Sequence, residues 1–440
     1  MNKEQSGPAP QSERAPKPPI HRRAIDADAL KVIYRLTSNG YKAYLVGGCV
    51  RDLLLGVTPK DFDLATSATP RQIKRLFRNC RIIGRRFRLA HIRFGQKILE
   101  VATFRAPPEA DGDDPYITRD NIFGTEESDA LRRDFTINGM FYDAEAGKVI
   151  DHVEGLPDLK TKTLRTIGEA ELRLREDPVR ALRAAKFAGR LGLTCDEALE
   201  DAIRTTAEDL SKASTARILE ELYKLLSGHG SAHAFRLLES WGCLDVLLPE
   251  ITPLPEDVFD ALERLGELSG GARDGVSQAL MLSVLLAPLA VRALQARPAR
   301  SEHEAEVRIG EAIQPVVQRM SVARRDSTIA RECLAAQVRF LEPPVRRGSR
   351  RYCFRPFFHD AMTLRRLLGP IEELPEGEPD PFLAWVEMSE QLGAEQAEAP
   401  ASDRPRRRRR RRGGRRRGRK PPGTTQSDGG QSGPPQTGGA

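Results

Sequence analysis

Near the start of the chain, apolar positions recur at helical spacing. Leu30, Ile33, Tyr34 and Leu36 predict a helix over 24–39, stopped by Gly40. The short apolar run Ala43-Tyr44-Leu45-Val46 then predicts a buried strand that leads straight into Gly47-Gly48. Residues 49–55 read as a helix, and 61–65 as a second strand in which Phe62 and Leu64 alternate with acids. Thr69-Pro70 is an N-cap followed by proline at the first helical position, opening a helix to Phe77. Residues 88–94 and 97–104 read as paired strands across Gly95-Gln96. An acidic loop with Pro and Gly, 107–116, precedes a charged helix over 126–141. From Glu169 onward strand-like runs nearly vanish. Helices are expected from Asp177-Pro178, over 214–227, and over 232–248 around Trp241-Gly242.

These patterns place the chain in the α+β class, with a mixed head, an all-helical neck and body, and a tail unable to build a core. The expected divisions are a disordered start (1–23), the head (24–168), a helical neck (169–250), a helical body (251–395) and the tail (396–440). The 440 residues are ample for two to four domains. No window approaches the roughly 18 unbroken apolar residues of a membrane helix, and the first twenty residues lack a signal-peptide core. The six cysteines form no CxxC pair, which argues against a zinc or disulfide framework and for a reducing, cytoplasmic setting.

Charge changes the picture once it is located. The net charge is +8, but residues 401–440 carry 12 Arg and 1 Lys against Asp403 and Asp428, leaving the first 400 residues slightly acidic. Thirteen cations fall between Arg404 and Lys420, among them Arg406, Arg407, Arg408, Arg409, Arg410, Arg411, Arg412, Arg415, Arg416 and Arg417. Such a block repels itself and is suited to a nucleic-acid backbone, whose counterions it releases. It implies a polyanionic partner and no chemistry of its own; the competing reading is a solubility tail.

The chemistry is concentrated upstream. Gly47-Gly48-Cys49-Val50-Arg51-Asp52 is followed by Lys60-Asp61-Phe62-Asp63. Two glycines at a strand end let backbone amides approach phosphate oxygens, although the Lys-Ser/Thr pair of a P-loop is missing. Asp61 and Asp63 stand two apart on the expected strand, so both carboxylates project from one face. Like charges so placed favour a divalent cation between them. An Asp-x-Asp by itself is more often a surface turn; the glycines and Arg51-Asp52 upstream reverse that preference. His229 and His233 lie among glycines without a catalytic Glu, and His359-Asp360 lacks partner histidines, so neither reads as a metal site.

Together with Leu76–Arg81, Arg132-Arg133-Asp134-Phe135-Thr136-Ile137-Asn138 and Glu176-Asp177-Pro178-Val179-Arg180-Ala181-Leu182-Arg183, these motifs resemble the nucleotidyltransferase superfamily built on the DNA polymerase beta head. Within it they are similar to the tRNA nucleotidyltransferase/poly(A) polymerase family, over about residues 40–250. The resemblance implies that Asp61 and Asp63 hold two Mg²⁺ ions and that Asp134 is a third catalytic carboxylate. Glu100 is its rival, an acid on a strand with little other reason to be there. It further implies a nucleotide site built from Gly47, Gly48, Arg51, Asp52, Arg133, Asn138, Asp177, Arg180 and Arg183. There Asp177 and Arg180 pair with the edge of the incoming base; the alternative is a helix cap with an exposed salt bridge. Asp134 and Asn138, four apart, would share a helix face and grip the ribose instead.

Template-independent transfer of AMP from ATP to single-stranded RNA 3′ ends is the activity the resemblance favours. Residues 77–81 and 84–91 have the poly(A) polymerase form, the Arg-rich tail suits a sequence-independent grip, and no phosphohydrolase-type domain follows the body. CCA addition to tRNA is the alternative, and an RNA-binding factor with a degenerate head the remote one. RNA-decay proteins are candidate partners.

Overall fold

The computed structural model describes residues 20–84, 88–106, 109–110, 118–119, 122–271, 276–345, 348–370 and 379–398. The arginines at 406–417 and most of the 107–116 loop lie outside them.

Helix α1 (Ala27–Thr37) starts three residues later than its spacing suggests, because the Asp26 carboxylate accepts from the amides of Asp28 and Ala29 and caps it there. Its buried face is Ala29, Val32, Ile33 and Leu36. The head is a seven-stranded sheet in the order β3-β4-β5-β2-β1-β8-β9. Its strands are β1 (Ala43–Val46), β2 (Leu64–Thr66), β3 (Cys80–Ile83), β4 (Leu89–Phe94), β5 (Lys97–Thr103), β8 (Phe141–Asp143) and β9 (Lys148–Ile150). The two-residue strands β6 (Glu109–Ala110) and β7 (Thr118–Arg119) pair separately. Helices α2 (Gly48–Leu54), α3 (Pro70–Leu76), α4 (Glu126–Leu131) and α5 (Gly155–Thr161) connect the sheet. Central β1 alternates: Ala43 and Leu45 enter the main core, while Tyr44 and Val46 join Ala65, Phe104, Ala130 and Phe141 on the opposite face.

Two expectations are corrected here. The strand read over 61–65 begins only at Leu64, so Asp61 and Asp63 precede β2. Pairing with both β1 and β5 starts at Leu64, against Leu45 and Val101, and the charged residues lie just outside that ladder. The helix read over 126–141 ends at Leu131. Arg173 from the neck donates to the carbonyls of Arg132 and Arg133, both at 2.8 Å, and satisfies the helix end. The chain then makes a 3₁₀ turn at Thr136–Asn138 before β8 pairs with β1. No local signal reports a cap supplied from forty residues away.

The neck holds α6 (Ala170–Glu176), α7 (Val179–Leu191), α8 (Glu197–Thr206), α9 (Thr215–Leu226), α10 (Ser231–Ser240) and α11 (Cys243–Leu247). Gly242, at φ 74°, breaks the expected 232–248 helix into α10 and α11. Two-residue strands β10 (Thr163–Leu164) and β11 (Thr194–Cys195) tie head to neck in parallel.

Beyond lie α12 (Glu256–Gly271), α13 (Gln278–Ala296), α14 (Glu302–Arg319), α15 (Arg324–Arg339), α16 (Ser349–Tyr352), α17 (Phe358–Leu368) and α18 (Phe382–Glu398). By length and mean hydropathy α13 is apolar enough to cross a bilayer, although Ser283, Pro288 and Arg292 interrupt its apolar run, and 72% of its most apolar 18 residues are buried as in a core helix. One contiguous apolar core runs from Ile20 to Trp385.

Candidate active site

Between β1 and α2, Gly47 adopts φ 74° and ψ −136°, a conformation other residues resist. A Cβ there would also stand 3.2 Å from the Arg133 guanidinium. The Gly47 amide donates to the Met140 carbonyl at 3.2 Å, so it serves the sheet and does not point to phosphate. The amide of Gly48 heads the following helix.

The parallel register Leu64↔Val101 sets Asp63 beside Glu100, one step earlier on each strand. Glu100 shares its face of β5 with Ala102, beside Ala65 of β2, and the charge of Asp61 reaches Asp63 as well. Asp63 is open on one side but set against protein mass. That loss of solvation, then the charges of Glu100 and Asp61, push its carboxyl up to about 6 against the opposing pull of Arg133. Glu100 also meets His91 Nε2 across β4, at 3.1 Å.

The donor set is all carboxylate oxygen, which fits a hard divalent cation. Among the described residues no three ligands converge closely enough to hold an ion alone. Magnesium usually takes one or two carboxylates and completes its shell with water and substrate phosphates, so two or three loosely gathered acids suit it.

Arg133 is held by Asp129, at 2.8 Å, and lies 5.3 Å over the Phe141 ring. Asp129 is buried and also accepts from the Arg105 amide. This fixes Arg133 between the acids and a cavity of about 300 Å³ lined by Asp134, Asp177, Arg180, Arg183, Arg217 and Glu221.

Asp134 does not stand with Asp61 and Asp63. Its Oδ1 accepts from the Phe135 amide at 2.9 Å and from Asn138 Nδ2 at 3.2 Å, and its Oδ2 from Arg183, with Nε at 2.8 Å. Burial opposes its charge, but Arg183, Asn138 and the amide outweigh it and hold the carboxyl below its ordinary value. Asp134 and Asn138 do come together, across the 3₁₀ turn in place of the expected helix face. Asn138 Oδ1 accepts from Arg51 at 2.6 Å, and Arg51 binds Asp52 at 2.6 and 2.9 Å. Arg51 and Asp52 are 3% and 7% exposed; Asp52 fixes Arg51, and Arg51 holds Asn138 from below. On the other side Arg183 approaches Glu221 at 3.6 Å, and Lys186 binds Glu221 at 2.6 Å. The Phe187 ring carries Arg51, Arg183 and Lys186 at 5.0–5.5 Å.

Asp177 and Arg180, expected to meet the edge of the incoming base, each have other protein partners. Asp177 is held by both terminal nitrogens of Arg217, at 2.9 and 2.6 Å, while Arg180 donates to the Arg173 carbonyl and meets Glu176 at 3.2 Å. Arg180 follows Asp177 at the start of α7, but its side chain turns back along α6. Both still line the cavity.

Sequence reasoning missed Arg217 and Glu221. The available signal was an acid on the apolar stripe of α9: Glu221 sits among Ile218, Leu222 and Leu225 and is buried with them.

Residues 43–165 match the poly A polymerase head domain, and residues 192–254 match the "Probable RNA and SrmB- binding site of polymerase A". Over these two stretches the chain is similar to poly(A) polymerases and CCA-adding enzymes. Among relatives, poly(A) polymerase I of Escherichia coli O6:H1 is 48% identical over 242 residues, 53% of this chain and 52% of that protein. The CCA-adding enzyme of Oceanobacillus iheyensis is 37% identical over 240 residues, 53% and 58% of the two chains. The chain thus spans little more than half the length of the curated relatives it matches. The CCA-adding enzyme of Bacillus stearothermophilus, solved in complex with CTP, superposes with a TM-score of 0.60 at 26% identity, covering 83% of this chain and 82% of that one. The matched stretches fall on the α+β head and the helical neck.

Proposed function

We propose that this chain transfers AMP from ATP to the 3′ ends of single-stranded RNA without a template. The observation that carries the reading is Arg133, which both offsets the charge on Asp63 and lines the cavity, so that acids and cavity form one continuous site. The cavity presents four arginines and four carboxylates, a balanced lining that suits the donors and acceptors of a nucleoside better than bare phosphate. The triphosphate then faces the acidic side, which requires a divalent ion.

Asp61, Asp63 and Glu100 are the residues that would hold magnesium, two ions in the full site. When bound, these ions lower the pKa of the attacking 3′-hydroxyl and offset charge on the departing pyrophosphate. Glu100 takes the place of third carboxylate, since both oxygens of Asp134 are engaged; Asp134 is a positioning residue that fixes Arg183. Arg217 grips Asp177 yet leaves outward lone pairs on both oxygens, so the carboxylate can still accept from an exocyclic amine. Arg180 and Arg183 supply donors to the base and ribose.

Higher identity to poly(A) polymerase I than to CCA-adding enzymes over similar lengths supports the adenylyl reading. The likeness to a CTP-bound CCA-adding enzyme keeps CCA addition as the second reading. The Arg404–Lys420 run is the proposed RNA arm, and RNA-decay proteins in the cytoplasm are the proposed setting. Purified protein with Mg²⁺, labelled single-stranded RNA and each nucleoside triphosphate separately should give a long ladder with ATP alone. A stop within three additions that needs CTP and a tRNA end would select CCA addition. No extension with any nucleotide would overturn transfer.

A further inference from the structure

The segment around α16 reads Arg350-Arg351-Tyr352-Cys353-Phe354-Arg355-Pro356-Phe357-Phe358 and lies outside both matched domains. Its aromatics divide sharply. Tyr352, Phe357 and Phe358 turn inward and pack edge-on or tilted with Phe340, Phe382 and Trp385 at centroid distances of 5.4–6.2 Å. Phe354 is left 56% exposed on the surface of that cluster. Arg339 is stacked 4.3 Å over Tyr352 and 5.5 Å from Trp385, and Glu302 is bound beneath by the Tyr352 hydroxyl at 2.5 Å. The result is an anchored base that cannot collapse over the exposed ring.

Above it is an open groove of about 640 Å³ lined by Arg339, Arg351, Tyr352, Phe354 and Arg355, with Gly348 and Pro356 at its ends. No described lining residue is acidic. Arg351 and Arg355 are exposed, and among the described residues neither makes an ion pair, although Glu332 lies near enough to feel the charge of Arg355. Arg339 is partly offset by Glu302 at 3.5 Å. Two uncommitted guanidinium groups beside an exposed aromatic ring are what a single strand needs: cations for its phosphates and a flat face for a base. An acidic peptide would use the arginines but gain little from the ring.

We infer that this groove is a second contact site for single-stranded RNA, in which a base stacks on Phe354 and neighbouring phosphates meet Arg351 and Arg355. The inference rests on RNA being the substrate, but its test needs no catalysis. Binding of fluorescein-labelled A20 RNA to the full chain is measured by anisotropy across a salt series. Phe354→Ala should weaken binding about fivefold or more at every salt concentration with the slope unchanged, and Phe354→Trp should restore it. Arg351→Ala with Arg355→Ala should reduce the slope of log K against log salt by about 1.4, at roughly 0.7 for each phosphate released. Phe354 is exposed, so its variants should unfold at the wild-type denaturant concentration. A Phe354→Ala affinity within twofold of wild type, or an unchanged slope in the arginine double variant, overturns the inference, even where ATP-dependent extension is intact. Loss of extension in the wild-type chain with normal A20 binding would instead strike the transferase reading alone.

Discussion

Asp63 shows how much one residue's position depends on its neighbours. Its carboxyl is pushed up to about 6 because protein mass, Glu100 and Asp61 all disfavour its charge, and only Arg133 offsets them. A divalent cation bound there would relieve that repulsion, as the proposed function requires. Glu100→Gln should therefore reduce kcat about a hundredfold or more and raise the Mg²⁺ concentration needed for half-maximal rate. Asp61→Ala should do the same with an unchanged unfolding midpoint. Near-normal turnover in both variants would remove these acids from the metal site. The paired aspartates were legible as a motif; the partnership with Glu100 came from the parallel register of β2 and β5, which brings together residues 37 apart.

Among the elements, α2, the 3₁₀ turn, α7 and α9 meet through one polar chain running Asp52, Arg51, Asn138, Asp134, Arg183 and Glu221. Asp134 is its centre. Because Arg183, Asn138 and the Phe135 amide outweigh burial, its folded pKa lies below the ordinary 3.8. A depressed carboxyl contributes stability that is fully present above the unfolded value and is lost as pH falls through the folded value. Asp134→Asn should cost about 2–3 kcal/mol near neutrality, below the usual cost of breaking a buried pair because Arg183 is 32% exposed. The difference from wild type should begin to narrow below about pH 4, the unfolded range, and close only as pH falls through the lower folded value, where the wild-type carboxyl also protonates. Urea midpoints followed from pH 7 down to about pH 2 measure this, and a constant gap throughout would show that Asp134 acts through shape alone. Helix periodicity found most of these elements but extended α4 ten residues too far, since Arg173 and the pairing of β8 with β1 end it from a distance.

For the whole molecule, thirteen cations between Arg404 and Lys420 follow a chain that is otherwise slightly acidic. If they hold RNA, ending the protein before Arg404 should flatten the salt dependence of A20 binding by several units, at roughly 0.7 per phosphate, and leave ATP affinity within about twofold. An unchanged slope would assign RNA binding to residues before Arg404. What the amino-acid sequence determined by itself was whatever depends on near neighbours: the α+β head before helices, the glycines and aspartates around β1 and β2, the cap at Thr69-Pro70, and the charge of the tail. Local sterics, spacing and composition govern these features directly. Tertiary structure alone decided that Glu100 joins Asp63, that Asp134 turns to Arg183, that Arg217 takes Asp177, and that Phe354 stays outside its aromatic cluster. Each of these depends on which distant group occupies the space beside a side chain, and strand register and helix packing settle that only when the chain has folded.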